Sequence, residues 1–137
     1  MGVFSGGGIG IDLGSANITI YLENEGVVLR EPSYVLTPRE DTEEIMAVGR
    51  DARQMLGRTP QDVTLLSPIT YGAVGNIDLT IAMVRQLTEK ALGRKRAIER
   101  SPLVVSISQG ATRVEQEALE TTVRSAGARS SFLLRTP

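Results

Sequence analysis

Apolar residues alternate with small or polar ones at Ile9, Ile11 and Leu13, a period of two that predicts a buried β-strand. The pattern breaks at Gly14 and resumes at Ile18-Thr19-Ile20-Tyr21, a second strand. Asn24-Glu25-Gly26 reads as a turn into a third strand at Val27-Val28-Leu29, so three antiparallel strands open the chain. Glu31-Pro32 is expected to interrupt them, because proline has no N–H for a ladder. Tyr34-Val35-Leu36 and Ile45 to Val48 form a predicted second hairpin around the polar stretch from Pro38 to Glu44. A short helix is expected over 49–56, stopped by Gly57 and Pro60, then a strand at Val63 to Leu66 and a looser stretch with Pro68, Gly72 and Gly75.

The period then lengthens. Leu79, Ala82, Met83, Leu87 and Ala91 share one helical face, with Asp78 as expected N-cap and Gly93 as the stop. Leu103 to Ile107 reads as a buried strand. Thr112-Arg113-Val114-Glu115 has the capping-box form, opening a helix expected to bury Val114, Ala118, Leu119 and Ala126 and to stop at Gly127. Phe132 to Leu134 supplies the last strand. Strand, helix, strand implies a parallel βαβ unit, and hairpins followed by such a unit make a mixed α/β sheet. The chain closes on Arg135-Thr136-Pro137, directly after a strand, where ligands sit in open α/β sheets. A complete protein is not expected to finish there.

Composition narrows the chemistry. The 137 residues, 41% hydrophobic, suit one domain with room for two small subdomains. A net charge of −1 gives no electrostatic reason to bind nucleic acid. Cysteine and histidine are both absent, which excludes disulfides, thiolate nucleophiles, Ser-His catalysis and zinc-His sites. No apolar run approaches the ~20 residues of a membrane span, and no signal peptide is evident, so a cytoplasmic protein is expected.

Against that background Gly10-Ile11-Asp12-Leu13-Gly14-Ser15-Ala16-Asn17 carries the chemistry. A carboxylate just before a glycine turn suits the phosphate end of a nucleotide. Gly14 allows the tight turn, the small Ser15 and Ala16 let N–H groups converge on an anion, and Asp12 would hold magnesium through its waters. An ordinary hairpin turn has the same composition, and the eight residues alone leave both readings open.

The same run, with Ala47-Val48-Gly49, Met55-Leu56-Gly57-Arg58-Thr59-Pro60, Gly72 to Asp78, Gly110 to Glu115 and Ala126 to Arg129, resembles the N-terminal half of the MreB family of bacterial actin-like proteins, in order over essentially the whole chain. The resemblance implies the ribonuclease-H-like fold of actin, sugar kinases and heat-shock chaperones. A core subdomain would comprise residues 1–31 and 68–137, and a small inserted α+β subdomain residues 32–67. It implies ATP and Mg2+ in a cleft between two halves, with Gly14, Ser15, Ala16 and Asn17 on the phosphates and Asp12 on the metal. It also implies self-association into filaments, work with cell-wall elongation proteins, and a place on the inner membrane face setting cell shape.

Three departures stand out. No second Asp-Ile-Gly-Gly-Gly loop occurs, so this chain alone is expected to hold ATP weakly and, with one cleft wall open, to self-associate. Counting from Gly127, Thr136 stands where the family has the glutamate that handles the attacking water, and a hydroxyl is a poor base, so hydrolysis is expected to be slow. Ser108 stands where the family commonly has proline. The alternative function is a non-enzymatic interaction module that binds filament subunits or ends.

Lesser candidates accompany these. Arg94, Lys95, Arg96 and Arg100, with Ile98, form a basic loop that could meet anionic lipid or simply be solvated. Val3-Phe4 lies in a glycine-rich start expected to fray. Glu115, Glu117 and Glu120 are spaced for charge pairing with Arg113 and Arg124 on an exposed helix face rather than for catalysis.

Overall fold

A computed structural model of the chain describes residues 8–41, 44–55, 58, 62–70, 73–93, 99, 102–108, 111–128 and 131–136. Strands β1 (Ile9–Leu13), β2 (Asn17–Leu22) and β3 (Gly26–Pro32) form an antiparallel meander. On the other flank of β1 lie β9 (Leu103–Ser108) and then β10 (Ser131–Thr136), both parallel to it, giving one five-stranded sheet in the order β10-β9-β1-β2-β3. The predicted mixed sheet and its parallel βαβ unit are therefore present, with helix α3 (Arg113–Ser125) as the crossover.

The alternation that marked β1 explains its packing. Ile9, Ile11 and Leu13 join Ile18, Ile20, Leu103 and Val105 in one buried cluster. Helix α2 (Ile77–Leu92) covers it with Leu79, Met83, Val84 and Leu87, and α3 with Leu119 and Val123. Period-two alternation sends Gly10 and Asp12 to the opposite face of the sheet.

Between β3 and α2 the chain builds a second sheet from β4 (Val35–Pro38), β5 (Ala47–Val48) and β6 (Val63–Leu66), in the antiparallel order β5-β4-β6. Helix α1 (Gly49–Met55) follows β5. A small hairpin of β7 (Ile69–Thr70) and β8 (Ala73–Val74) precedes α2.

Several local expectations change. Strand β3 does not stop before Glu31-Pro32 but runs through both, Pro32 pairing with Asn17. It is an edge strand, so the missing N–H of Pro32 breaks no interior ladder. The N-cap of α2 is Asn76, whose side chain accepts from Leu79 N, and Asp78 falls in the first turn instead. Gly93 ends α2 in a left-handed conformation with φ 71°, as the sequence suggests. In α3 the capping box of Thr112 and Glu115 is complete, but Val114 is 74% exposed, and Thr122 and Val123 take the buried positions. Leu56, Gly57 and Pro60, expected at the end of α1, lie outside the described residues, as does the N-terminal Val3-Phe4.

Candidate functional site

Asp12 is the next-to-last residue of β1, at the carboxyl end of the central strand. Its register partners are Ser106 on the parallel side and Thr19 on the antiparallel side. The carboxylate is exposed and accepts a 2.7 Å hydrogen bond at Oδ1 from the Ser106 hydroxyl. Among the described residues Oδ2 has no partner. A hard carboxylate oxygen, exposed and uncommitted, fits a magnesium ion that keeps several of its waters. The described residues contain no cluster of three or more acidic, histidine or cysteine side chains, and a water-held magnesium on one carboxylate needs none.

The turn after β1 is closed by Gly14 N, which donates to Asn17 O at 2.9 Å. A Cβ at Gly14 would lie 2.8 Å from that same oxygen, so glycine is required by close approach. Two further bonds, both from Ser33, fasten the loop by its carbonyls. The buried Ser33 donates its hydroxyl to Gly14 O at 2.6 Å and its backbone N–H to Ala16 O at 3.0 Å. Ser67 donates its hydroxyl to Ile69 O at 2.9 Å and lies 3.4 Å from Ser15 O. With the Gly14 and Ala16 carbonyls held by Ser33 just past the end of β3, the exposed Ser15 and Ala16 form the outward tip of the loop. Anions are bound by N–H groups and repelled by carbonyls, so this fastening suits the anion role.

The structure therefore brings Asp12 and the loop from Gly14 to Asn17 to one end of the sheet. Thr136 sits at the carboxyl end of β10, paired in register with Ser108 of β9, two strands from β1 at that same end. Arg94, Lys95, Arg96, Ile98 and Arg100 lie outside the described residues. Glu115 serves its helix, its Oε1 accepting from Thr112 N at 2.8 Å, and hydrogen bonds from the Thr112 backbone and side chain lower its pKa. Glu117 pairs with Arg113 at 3.7 Å, the charge pairing its spacing suggested.

Sequence reasoning missed Ser106, Ser33 and Ser67. No local motif marks them, because each meets the site only through strand pairing or chain return. An open cavity of about 360 Å³ lies elsewhere, lined by Met46, Val48, Asp51, Met55, Arg58 and Gln86, and none of the loop residues borders it. No described helix is long and apolar enough to cross a membrane.

Known proteins agree on the kinship. The model of the family described as MreB/Mbl protein matches residues 6–137. The cell shape-determining protein MreB of Escherichia coli strain K12 is 36% identical over a 140-position alignment that covers 99% of this chain and 40% of that protein. The cell shape-determining protein Mbl of Bacillus cereus is 35% identical over 129 residues, 94% of this chain and 38% of that protein. The chain thus spans about two-fifths of the length of these curated relatives. Among solved structures, MreB5 of Spiroplasma citri bound to ADP superposes with a TM-score of 0.79 at 24% identity, covering 96% of this chain and 38% of that one. The same protein bound to AMPPNP gives 0.75 at 25% identity, covering 96% and 39%. The fold is actin-like.

Proposed function

The chain belongs to the MreB/Mbl family, and from that membership we propose that it is the N-terminal part of a cell shape-determining filament protein that binds Mg-ATP at the carboxyl end of β1. The observation that carries the proposal is the pairing of an exposed, half-committed Asp12 carboxylate with a turn whose carbonyls are fastened from behind. Nucleotide-bound structures of a relative with the same fold support it. Residues 1–31 and 68–137 would form the core subdomain and residues 32–67 the insertion. In favour of that division, the five-stranded sheet draws on 9–32, 103–108 and 131–136, and the three-stranded sheet only on 35–66.

Each residue has a distinct task. The Gly14 turn sets the loop close to the β1 end, and Ser15 and Ala16 approach the phosphates with backbone N–H groups and no bulky side chain. Asn17 closes the turn through its carbonyl. Asp12 would hold Mg2+ through its waters, and the ion would supply neutralising charge to the phosphates. Thr136 can hydrogen-bond a water but cannot take its proton near neutral pH, so turnover is slow. The nucleotide then acts mainly as an assembly ligand for self-association.

The test is Asp12→Asn in the longest form of the protein that its cell makes. Sedimentation with and without Mg-ATP should show nucleotide-dependent pelleting in the parent and its loss in the variant. Pelleting and nucleotide binding that survive the substitution unchanged would remove Asp12 from the site.

A further inference from the structure

Ser106 stands opposite Asp12 in parallel register, 94 positions along the chain, and its hydroxyl donates to Oδ1 at 2.7 Å. Resting on the nucleotide site proposed above, we propose that Ser106 is the positioning residue of the metal carboxylate, turning Asp12 so that Oδ2 faces the ligand and thereby setting the magnesium requirement of nucleotide binding.

An exposed aspartate has a broad, nearly two-fold χ2 torsion, so its two oxygens interchange freely unless one is held. A short hydroxyl-to-carboxylate bond is charge-assisted and stronger than a neutral one. The Ser106 hydroxyl has a single proton, and it is committed to Asp12. Its lone pairs remain able to accept from a metal-held water, which would reinforce the same orientation. Partners that orient a metal carboxylate without touching the ion commonly change metal affinity by one order of magnitude or more when they bind the ligand of a directly held metal. A water-held ion should respond less. The fold itself has little need of this hydroxyl. Strand β9 is held between β1 and β10 by backbone pairing, and Ser106 and Asp12 both reach the surface.

The experiment follows backbone amide shifts of the full chain by NMR as ATP is added at fixed concentration and free Mg2+ is raised from micromolar to millimolar. Ser106→Ala is expected to raise the half-saturating Mg2+ about threefold to tenfold, with ATP affinity in excess EDTA unchanged and the melting temperature within about 2 °C of the parent. Ser106→Thr, which keeps the hydroxyl, should restore the parent value. An unchanged or lowered magnesium requirement in Ser106→Ala, or no rescue by threonine, overturns the role of Ser106 while leaving the nucleotide site standing. Asp12→Asn separates the two claims. If it leaves the magnesium dependence intact, or the parent shows no shifts with Mg-ATP, the nucleotide site itself fails and the role of Ser106 falls with it.

Discussion

Lys90 Nζ on α2 lies 2.6 Å from Glu31 Oε2 on β3, and the Glu31 side chain is only 3% exposed. The other carboxylate oxygen accepts the backbone N–H of Arg50, in the first turn of α1, at 2.9 Å. One buried charge thus ties the edge strand of the large sheet to a helix on its face and to the helix that follows the small sheet. Burial by itself would raise the Glu31 pKa. The Lys90 hydrogen bond, the Arg50 N–H and the charges of both residues outweigh it and bring the pKa below its ordinary 4.5.

Glu31→Gln should therefore lower unfolding stability near neutral pH. Breaking a buried pair can cost 3–5 kcal/mol, but half-exposed Lys90 regains water and the amide still accepts from Arg50, so about 2 kcal/mol is expected. A carboxylate whose pKa is depressed by folding adds stability above its unfolded pKa and loses it as pH falls through the folded value. The gap between parent and variant should be flat from roughly pH 6 to 8 and close as the pH drops below the ordinary 4.5. Denaturant titrations across that range measure it.

Gly49, first residue of α1, has φ +66°. A Cβ there would collide with Glu31 Oε1 and lie 3.1 Å from Leu87 Cδ2. Gly49→Ala combines left-handed strain with displacement of a buried carboxylate, and a loss of about 2–4 kcal/mol is expected. Thermal melts of the variant, alone and combined with Glu31→Gln, check the origin. The double mutant should lose less than the sum of the singles.

Thr88 on α2 is 1% exposed, and among the described residues its hydroxyl has no hydrogen-bond partner. Valine has nearly the same shape without the stranded polar atom. Thr88→Val should be neutral or stabilising by up to about 1 kcal/mol, read as a rise in the denaturation midpoint with the m-value unchanged.

Gly14→Ala places a methyl 2.8 Å from Asn17 O in the turn itself. The turn must open to admit it, moving Ser15 and Ala16. Weakening of Mg-ATP binding by at least about tenfold is expected, because the loop's contacts act together. The sheet should remain folded, with circular dichroism close to that of the parent.

Much of the fold was legible because its signals are local. The alternation of Ile9, Ile11 and Leu13, the Thr112–Glu115 box and the Gly93 stop each act within a few residues. Failures came where a distant partner decides. Glu31-Pro32 looked like a break, yet it sits on an edge strand and its charge is neutralised by Lys90, 59 positions away in sequence. Asn76 and Asp78 are both good caps, and only the backbone path selects Asn76. Helical threonines that the apolar periodicity did not include are buried as well. Thr80 and Thr122 satisfy their hydroxyls on carbonyls four residues back, at 2.6 and 2.8 Å, and so can enter the core. In the candidate site Asp12 and Gly14 were visible as a motif. Ser33, Ser67 and Ser106 were not, since serine is common and only strand register and chain return bring these three to the loop.

Whether the end of β1 is the phosphate end of a nucleotide site is decided by amide NMR of the isotope-labelled chain titrated with Mg-ATP, because weak binding still moves resonances. Shifts should concentrate at Asp12, Gly14 to Asn17 and Ser106, be reproduced by Mg-tripolyphosphate and be lost in Asp12→Asn. Shifts that spare this loop, or that fall instead around Met46, Met55 and Gln86, would contradict that site.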